Sequence, residues 1–337
     1  MNVQLVVLSL ALTTLLTPSI LPAQGAKVSS PVEFARKADS LKPGEWVWAP
    51  NAVPTGPVLV YIDLSRQIAT VYRNGVRIGV TTISSGKENY ETPTGVFTIL
   101  QKKARHYSNL YANAPMPYMQ RLTWGGVALH AGKLPGYAQS HGCVRLPYAF
   151  SQELFKITSL GVTIIVEGDA AKKIDTTDNT LLVPMDTKGE KVTHEHLEGA
   201  EFRWTPEKSS KGPLTIILSK PDQRVVVLRN GIEIGRSVAQ IEDTGIGPLV
   251  LSYTIGPDGK GRWFYIDLPG QDPNKGRELE DATRDRVRMP RQFYEALRAQ
   301  LQPGTTVLVT QSSVGAKPTS DELTIIDAVT PGSSVSP

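Results

Sequence analysis

The sequence predicts a mainly β protein: a sandwich or half-open barrel with one short helix, followed by a second, related β unit. Three observations lead there. The 337 residues contain 29 Gly and 25 Pro with only 7% aromatics, a turn-rich composition that suits short strands better than a helix bundle. Brief apolar runs alternate with turn dipeptides. The two halves also resemble each other in one consistent order. At 40% hydrophobic and 20% charged, the chain can bury a core, and its length allows two ordinary domains.

Residues 1–25 come first. Met1 to Ala26 carries no charged side chain, and Val6 to Leu16 is mostly Leu, Val and Ala, too short a stretch to span a bilayer securely. Pro18 and Pro22 interrupt it, and Ala23-Gln24-Gly25 offers small residues around a cleavage site. This reads as a secretory signal peptide removed near Gly25. No later stretch approaches the length of a membrane helix, so the expected mature protein is exported, to the periplasm or cell wall, with no transmembrane segment. Residues 26–56 read as an N-terminal extension.

The first unit is expected over residues 57–168. Val58–Ile62 and Gln67–Tyr72 are β-rich runs, and Asn74-Gly75 favours a type I′ hairpin turn into a return strand at 76–83. Val96–Leu100 and Val127–His130 are further short strands. From Pro147 to Leu160, apolar Phe150, Leu154, Ile157 and Leu160 recur at helical spacing, with Pro147 suited to the start and Gly161 to the stop. Val162–Val166 closes the unit as a buried strand.

The remainder repeats this plan. YRNGVRIG at 72–79 returns as LRNGIEIG at 228–235, and Pro57 and Pro213 keep the same offset. GVFTIL at 95–100 matches GPLVLS at 247–252, and Gly161-VTIIV matches Gly304-TTVLV. Shrinking offsets imply a second copy with shorter loops, at 213–312. Residues 169–212, charged and Thr-rich, read as a linker, and 313–337 as a loose tail.

The formal charge of +4 comes from 36 basic and 32 acidic residues with no basic block, so nucleic acid is not an expected partner. The single cysteine excludes an intrachain disulfide and any multi-cysteine metal site. In an exported protein a lone thiol is an oxidation liability, retained if buried or chemically needed. Cys143 sits in Ser140-His141-Gly142-Cys143-Val144-Arg145, a poor setting for a buried structural thiol. A thiolate nucleophile needs a base or a positive neighbourhood. His130, at the end of a short strand, is the candidate base, with His141 and Arg145 close by. Gly142 lets backbone approach a substrate, so that its amide and that of Cys143 could face an oxyanion. His130, His141 and Cys143 have no acidic fourth ligand nearby, which speaks against zinc. His194-Glu195-His196 reads as an exposed linker turn, and His106, in a basic loop, as solvent-facing.

These residues carry a family resemblance. His130-Ala131-Gly132 followed by SHGCVRL at 140–146 resembles the signature of the L,D-transpeptidase (YkuD-like) catalytic domain. Thr92-Pro93-Thr94-Gly95-Val96-Phe97 resembles a second block of that family, and Met116-Pro117-Tyr118 its acceptor-side loop. The resemblance implies a β-sandwich enzyme of peptidoglycan biosynthesis and cell wall organisation, acting on donor tetrapeptide and acceptor stems. Cys143 would be the nucleophile and His130 the general acid/base, with His141 and Gly142 shaping the site and Arg145, Ser140 and Tyr118 contacting substrate. It also implies acylation by carbapenems, no cofactor and no metal for this chemistry. Two alternatives stay open: an L,D-carboxypeptidase using water as acceptor, and a non-catalytic wall-binding module. In the second copy Cys143 falls on Arg286, His141 on Arg284 and Arg145 on Arg288, and no cysteine or histidine follows His196. That copy is therefore expected to lack the chemistry, and to bind glycan or stem carboxylates or pack on the first.

Overall fold

The computed structural model describes residues 25–171, 185, 188–189, 200–242, 249–256, 258–266 and 277–310. The signal peptide before Gly25, His194-Glu195-His196 and the expected tail lie outside these. Among the described residues no helix is long and apolar enough to cross a membrane.

The first unit runs β1 (Gly25–Lys27), α1 (Pro31–Ala38), β2 (Trp46–Trp48), β3 (Val58–Asp63), β4 (Ile68–Arg73), β5 (Val76–Thr82) and β6 (Gly95–Thr98). It continues with β7 (Gln101–Lys103), β8 (Met119–Arg121), β9 (Ala128–Ala131), β10 (Val144–Leu146), α2 (Tyr148–Ile157) and β11 (Thr163–Glu167). One sheet is ordered β1-β2-β5-β4-β3-β11-β6, and a smaller one β10-β9-β8-β7. The β4–β5 hairpin turns through Asn74 and Gly75, both at positive φ (49° and 73°), as a type I′ turn requires.

Both faces of the large sheet are covered, which is why its strands read as near-continuous apolar runs. Val60 and Ile62 point into a core with Trp46, Trp48, Phe150 and Leu154. Leu59 and Tyr61, between them in sequence, face the other way, into a cluster shared with the second unit. Trp48 meets Phe150 of α2 edge-on, with centroids 5.1 Å apart. Lys102 Nζ donates to the carbonyls of Phe155 and Thr158 at 2.7 and 2.5 Å, satisfying the open C-terminal end of α2.

The second unit runs β12 (Phe202–Trp204), β13 (Leu214–Ser219), β14 (Arg224–Arg229), β15 (Ile232–Val238), β16 (Gln240–Ile241), β17 (Leu249–Ile255) and β18 (Gly261–Tyr265). Then follow α3 (Asp281–Arg284), β19 (Val287–Arg288), α4 (Arg291–Arg298) and β20 (Thr306–Thr310). Its large sheet is ordered β12-β15-β14-β13-β20-β17-β18. Strand for strand, β12 to β17 repeat β2-β5-β4-β3-β11-β6, down to a bulge after Val71 in one and after Val227 in the other.

Two segments outside the expected units pack onto them. The 26–56 segment is not an appendage: Trp46, Val47 and Trp48 are buried, and β2 pairs antiparallel with β5. A three-residue strand is too short for its periodicity to be read from sequence. Likewise, part of the 169–212 linker belongs to folded units. Met185 is buried in the first core, with its N–H on Val96 O at 2.9 Å, and β12 pairs with β15 in the second sheet.

Candidate active site

The small sheet builds the site. β9 and β10 run parallel, with Arg145 opposite His130. Cys143 immediately precedes β10, one residue before the ladder begins at Val144 opposite Leu129. Cys143, His130, His141, Arg145 and Ser140 all line one cleft of about 630 Å³. The two residues expected to work together, His130 on β9 and Cys143 just before β10, thus line the same cleft.

Polar ties fix the Cys143 loop. Thr92 Oγ1 accepts from Gly86 N–H at 2.8 Å and donates to Gly142 O at 3.0 Å, so the 92–97 block reaches the loop through a single hydroxyl. Gly142 sits at φ +98°, where a side chain would be strained. The Ser140 hydroxyl donates to the Cys143 carbonyl. The amides of Gly142 and Cys143 donate to no other described backbone group.

His130 is buried, and its Nδ1 lies 2.9 Å from Ala131 O. A carbonyl can only accept, so Nδ1 carries the proton and Nε2 is left with its lone pair. Burial pushes His130 down to about 4, and the nearby Arg145 and His106 charges act in the same direction; the imidazole is neutral around pH 7. Cys143 is half-buried against Met116, Met119 and Ala128, and its thiol donates to Gly126 O at 3.4 Å. Burial pushes this thiol up, opposed by the Ala128 amide and the Arg121 and Arg145 guanidiniums. The polar heptapeptide motif thus borders an apolar pocket supplied by Met116, Met119 and Ala128.

Other site residues went unread in the sequence. His141 stacks on Tyr111 (4.7 Å, 29°) and meets Tyr90 edge-on at 4.6 Å. Tyr111 comes from a loop whose backbone closes on itself through Ser108 N–H to Ala114 O, and it covers the cleft from one side. Nothing in its polar, Ala- and Asn-containing sequence signals that contact. Gly126, Lys133 and Tyr148 also line the cleft. Tyr118 does not; its ring packs on Tyr148 at 5.3 Å and Phe155 at 5.7 Å, behind the wall. His106, expected to face solvent, is half-buried and lowered first by burial, then by Arg121 and Lys103.

In the second unit, Gln240-Ile241 pairs with Val287-Arg288, as Ser84 bridges Arg145 in the first, but β18 extends the large sheet and no counterpart of β7–β9 is present among the described residues. Arg284 is ion-paired with Asp281 at 2.9 Å and Arg288 lies 4.0 Å from Glu242, while Arg286 is exposed.

The first unit is thus a β-sandwich whose cleft is lined by a thiol and an imidazole. Residues 57–166 match the family model of the L,D-transpeptidase catalytic domain, YkuD. Among solved structures, an L,D-transpeptidase from Stackebrandtia nassauensis is 30% identical, covering 34% of this chain and 57% of its own, with a TM-score of 0.32. One from Mycobacterium smegmatis is 29% identical over 33% and 59%, TM-score 0.31. One from Xylanimonas cellulosilytica is 27% identical over 34% and 61%, TM-score 0.30. The chain thus spans less than two thirds of the length of these structures. No curated protein matches it.

Proposed function

We propose that the first unit is an exported cysteine L,D-transpeptidase that forms 3→3 cross-links between peptidoglycan stems. The observation that carries this reading is that Cys143 and His130 line one cleft, inside the segment that matches the L,D-transpeptidase catalytic domain.

The electrostatics favour proton transfer during attack over a preformed ion pair, because the thiol is held protonated and the imidazole neutral. His130 Nε2 takes the thiol proton as Sγ attacks the carbonyl of the third stem residue, diaminopimelate in many walls. The amides of Gly142 and Cys143 stabilise the developing oxyanion. Terminal D-Ala leaves with the proton from His130, and the thioester remains on Cys143. The side-chain amine of an acceptor stem then loses a proton to His130, attacks the thioester and frees the thiol. Ala131 O keeps the Nδ1–H in place throughout, as a fixed third member of the constellation. Water as acceptor would give a carboxypeptidase from the same site.

Mature protein incubated with a purified disaccharide-tetrapeptide and followed by mass spectrometry tests this. A dimer that has lost one D-Ala is expected, and Cys143→Ala should lower its formation by at least about 10³-fold, since alanine supplies no thiolate. Tripeptide alone would replace transpeptidation by hydrolysis. Wall binding with no product, from reduced wild-type protein, would sink both and favour a binding module.

A further inference from the structure

The cleft is lined by two cations, Lys133 and Arg145, and by no carboxylate. Its lining includes Lys133, Arg145, His130 and His141, and no Asp or Glu. Arg145 is the register partner of His130 and lines the same cleft as Cys143. Its aliphatic stem lies along Gly132, where an added Cβ would stand 3.0 Å from Arg145 Cδ and Cγ; a side chain there would displace it. Lys133 follows directly and is exposed at the cleft. No described carboxylate forms an ion pair with either residue, although many other arginines and lysines of the chain have such partners. Two cations thus line the cleft that holds Cys143 with no carboxylate partner among the described residues.

We propose that Lys133, together with Arg145, makes the cleft selective for a donor stem whose attacked residue keeps a free side-chain carboxylate over the same stem with that carboxylate amidated. This rests on the transpeptidase reading above and adds Lys133 as a specificity-determining residue. Amidation removes the charge while keeping size and shape. The discrimination then comes from charge-assisted hydrogen bonds, about twice as strong as neutral ones. Arg145 is half-buried and Lys133 exposed, so Arg145 supplies geometry and Lys133 a salt-screened attraction.

Full-length protein is given the free and the side-chain-amidated tetrapeptide donors separately, with one common acceptor, and kcat/KM is measured for each. The free donor is expected to win by roughly tenfold at low salt, a ratio that corresponds to one charge-assisted contact. About 0.5 M salt should shrink the ratio, and Lys133→Met should reduce it to about threefold. Equal kcat/KM values for wild type overturn the proposal, and an undiminished ratio in Lys133→Met removes Lys133 from it. Calorimetric binding of the same two donors to Cys143→Ala separates this from failure of the reaction itself. A carboxylate preference there supports the proposal even with no turnover, and equal affinities overturn it.

Discussion

The two units share a scaffold and differ in one layer. Each packs a tryptophan edge-on to a helical phenylalanine, Trp48 of β2 on Phe150 at 5.1 Å and Trp204 of β12 on Phe293 at 5.4 Å. Each tethers the preceding loop with a buried arginine: Arg73 Nη1 donates to Val53 O and Pro54 O, Arg229 Nη1 to Ser209 O and Ser210 O. Both arginines even leave Nε without a partner. What the first unit has and the described residues of the second do not is the β7–β9 layer that carries His130 to the cleft lined by Cys143. The candidate site is thus built by a layer added to the scaffold the two units share.

The comparison is broken most forcefully at the shared aromatic pair. Phe150 and Phe293 are both fully buried. Phe150→Ala and Phe293→Ala should each cost about 3–5 kcal/mol, as large core truncations do, read from denaturation midpoints. A cost below about 1 kcal/mol at one position would mean that the two helices do not play equal parts, and the correspondence of the units would fail in its core.

Acid should separate the units. His130 is buried neutral in the first, and the second contains no histidine. The folded value of about 4 lies below the ordinary 6.5, so the unfolded chain takes the proton first. Stability is then full above about pH 6.5 and falls as pH drops towards 4, by about 3 kcal/mol in all. Relative to wild type, His130→Gln should therefore gain stability as pH falls from 7 to 4.5. A pH-independent difference between the two proteins would contradict the burial of His130.

Much of this was legible in residues. Asn74-Gly75 and Asn230-Gly231 announce their hairpins because an Asn-Gly pair tolerates positive φ at both positions, and the structure has it at all four. The α2 face was readable from Phe150 and Leu154, and the His130–Cys143 cleft from motif and spacing. Illegible were the contacts made by short or patternless segments: Trp46–Trp48, too brief for a period, and Tyr111 on His141, a contact of loop with loop. The placement of the units was hidden too. Leu59, Tyr61, Tyr72 and Ile165 pack against Ile217, Val226, Leu228 and Leu308, yet a strand buried on both faces does not say what covers it.

That interface offers the finest test. Its two halves are related strand for strand: Gly161 lies against Pro213 of the second unit, and Gly304, its counterpart, against Pro57, the counterpart of Pro213. The equivalence lapses at Thr163, whose hydroxyl lies 3.3 Å from that of Thr215, because the counterpart of Thr215 is Leu59. A buried hydroxyl pair contributes about 0.5–1.5 kcal/mol, but losing one partner strands the other at about 1–3 kcal/mol. Thr163→Val should thus destabilise by about 1 kcal/mol or more, and adding Thr215→Val should recover most of it by removing the stranded hydroxyl. A double-mutant cycle on denaturation midpoints reads the coupling directly. Strictly additive costs would mean that the two sheets do not meet at this pair.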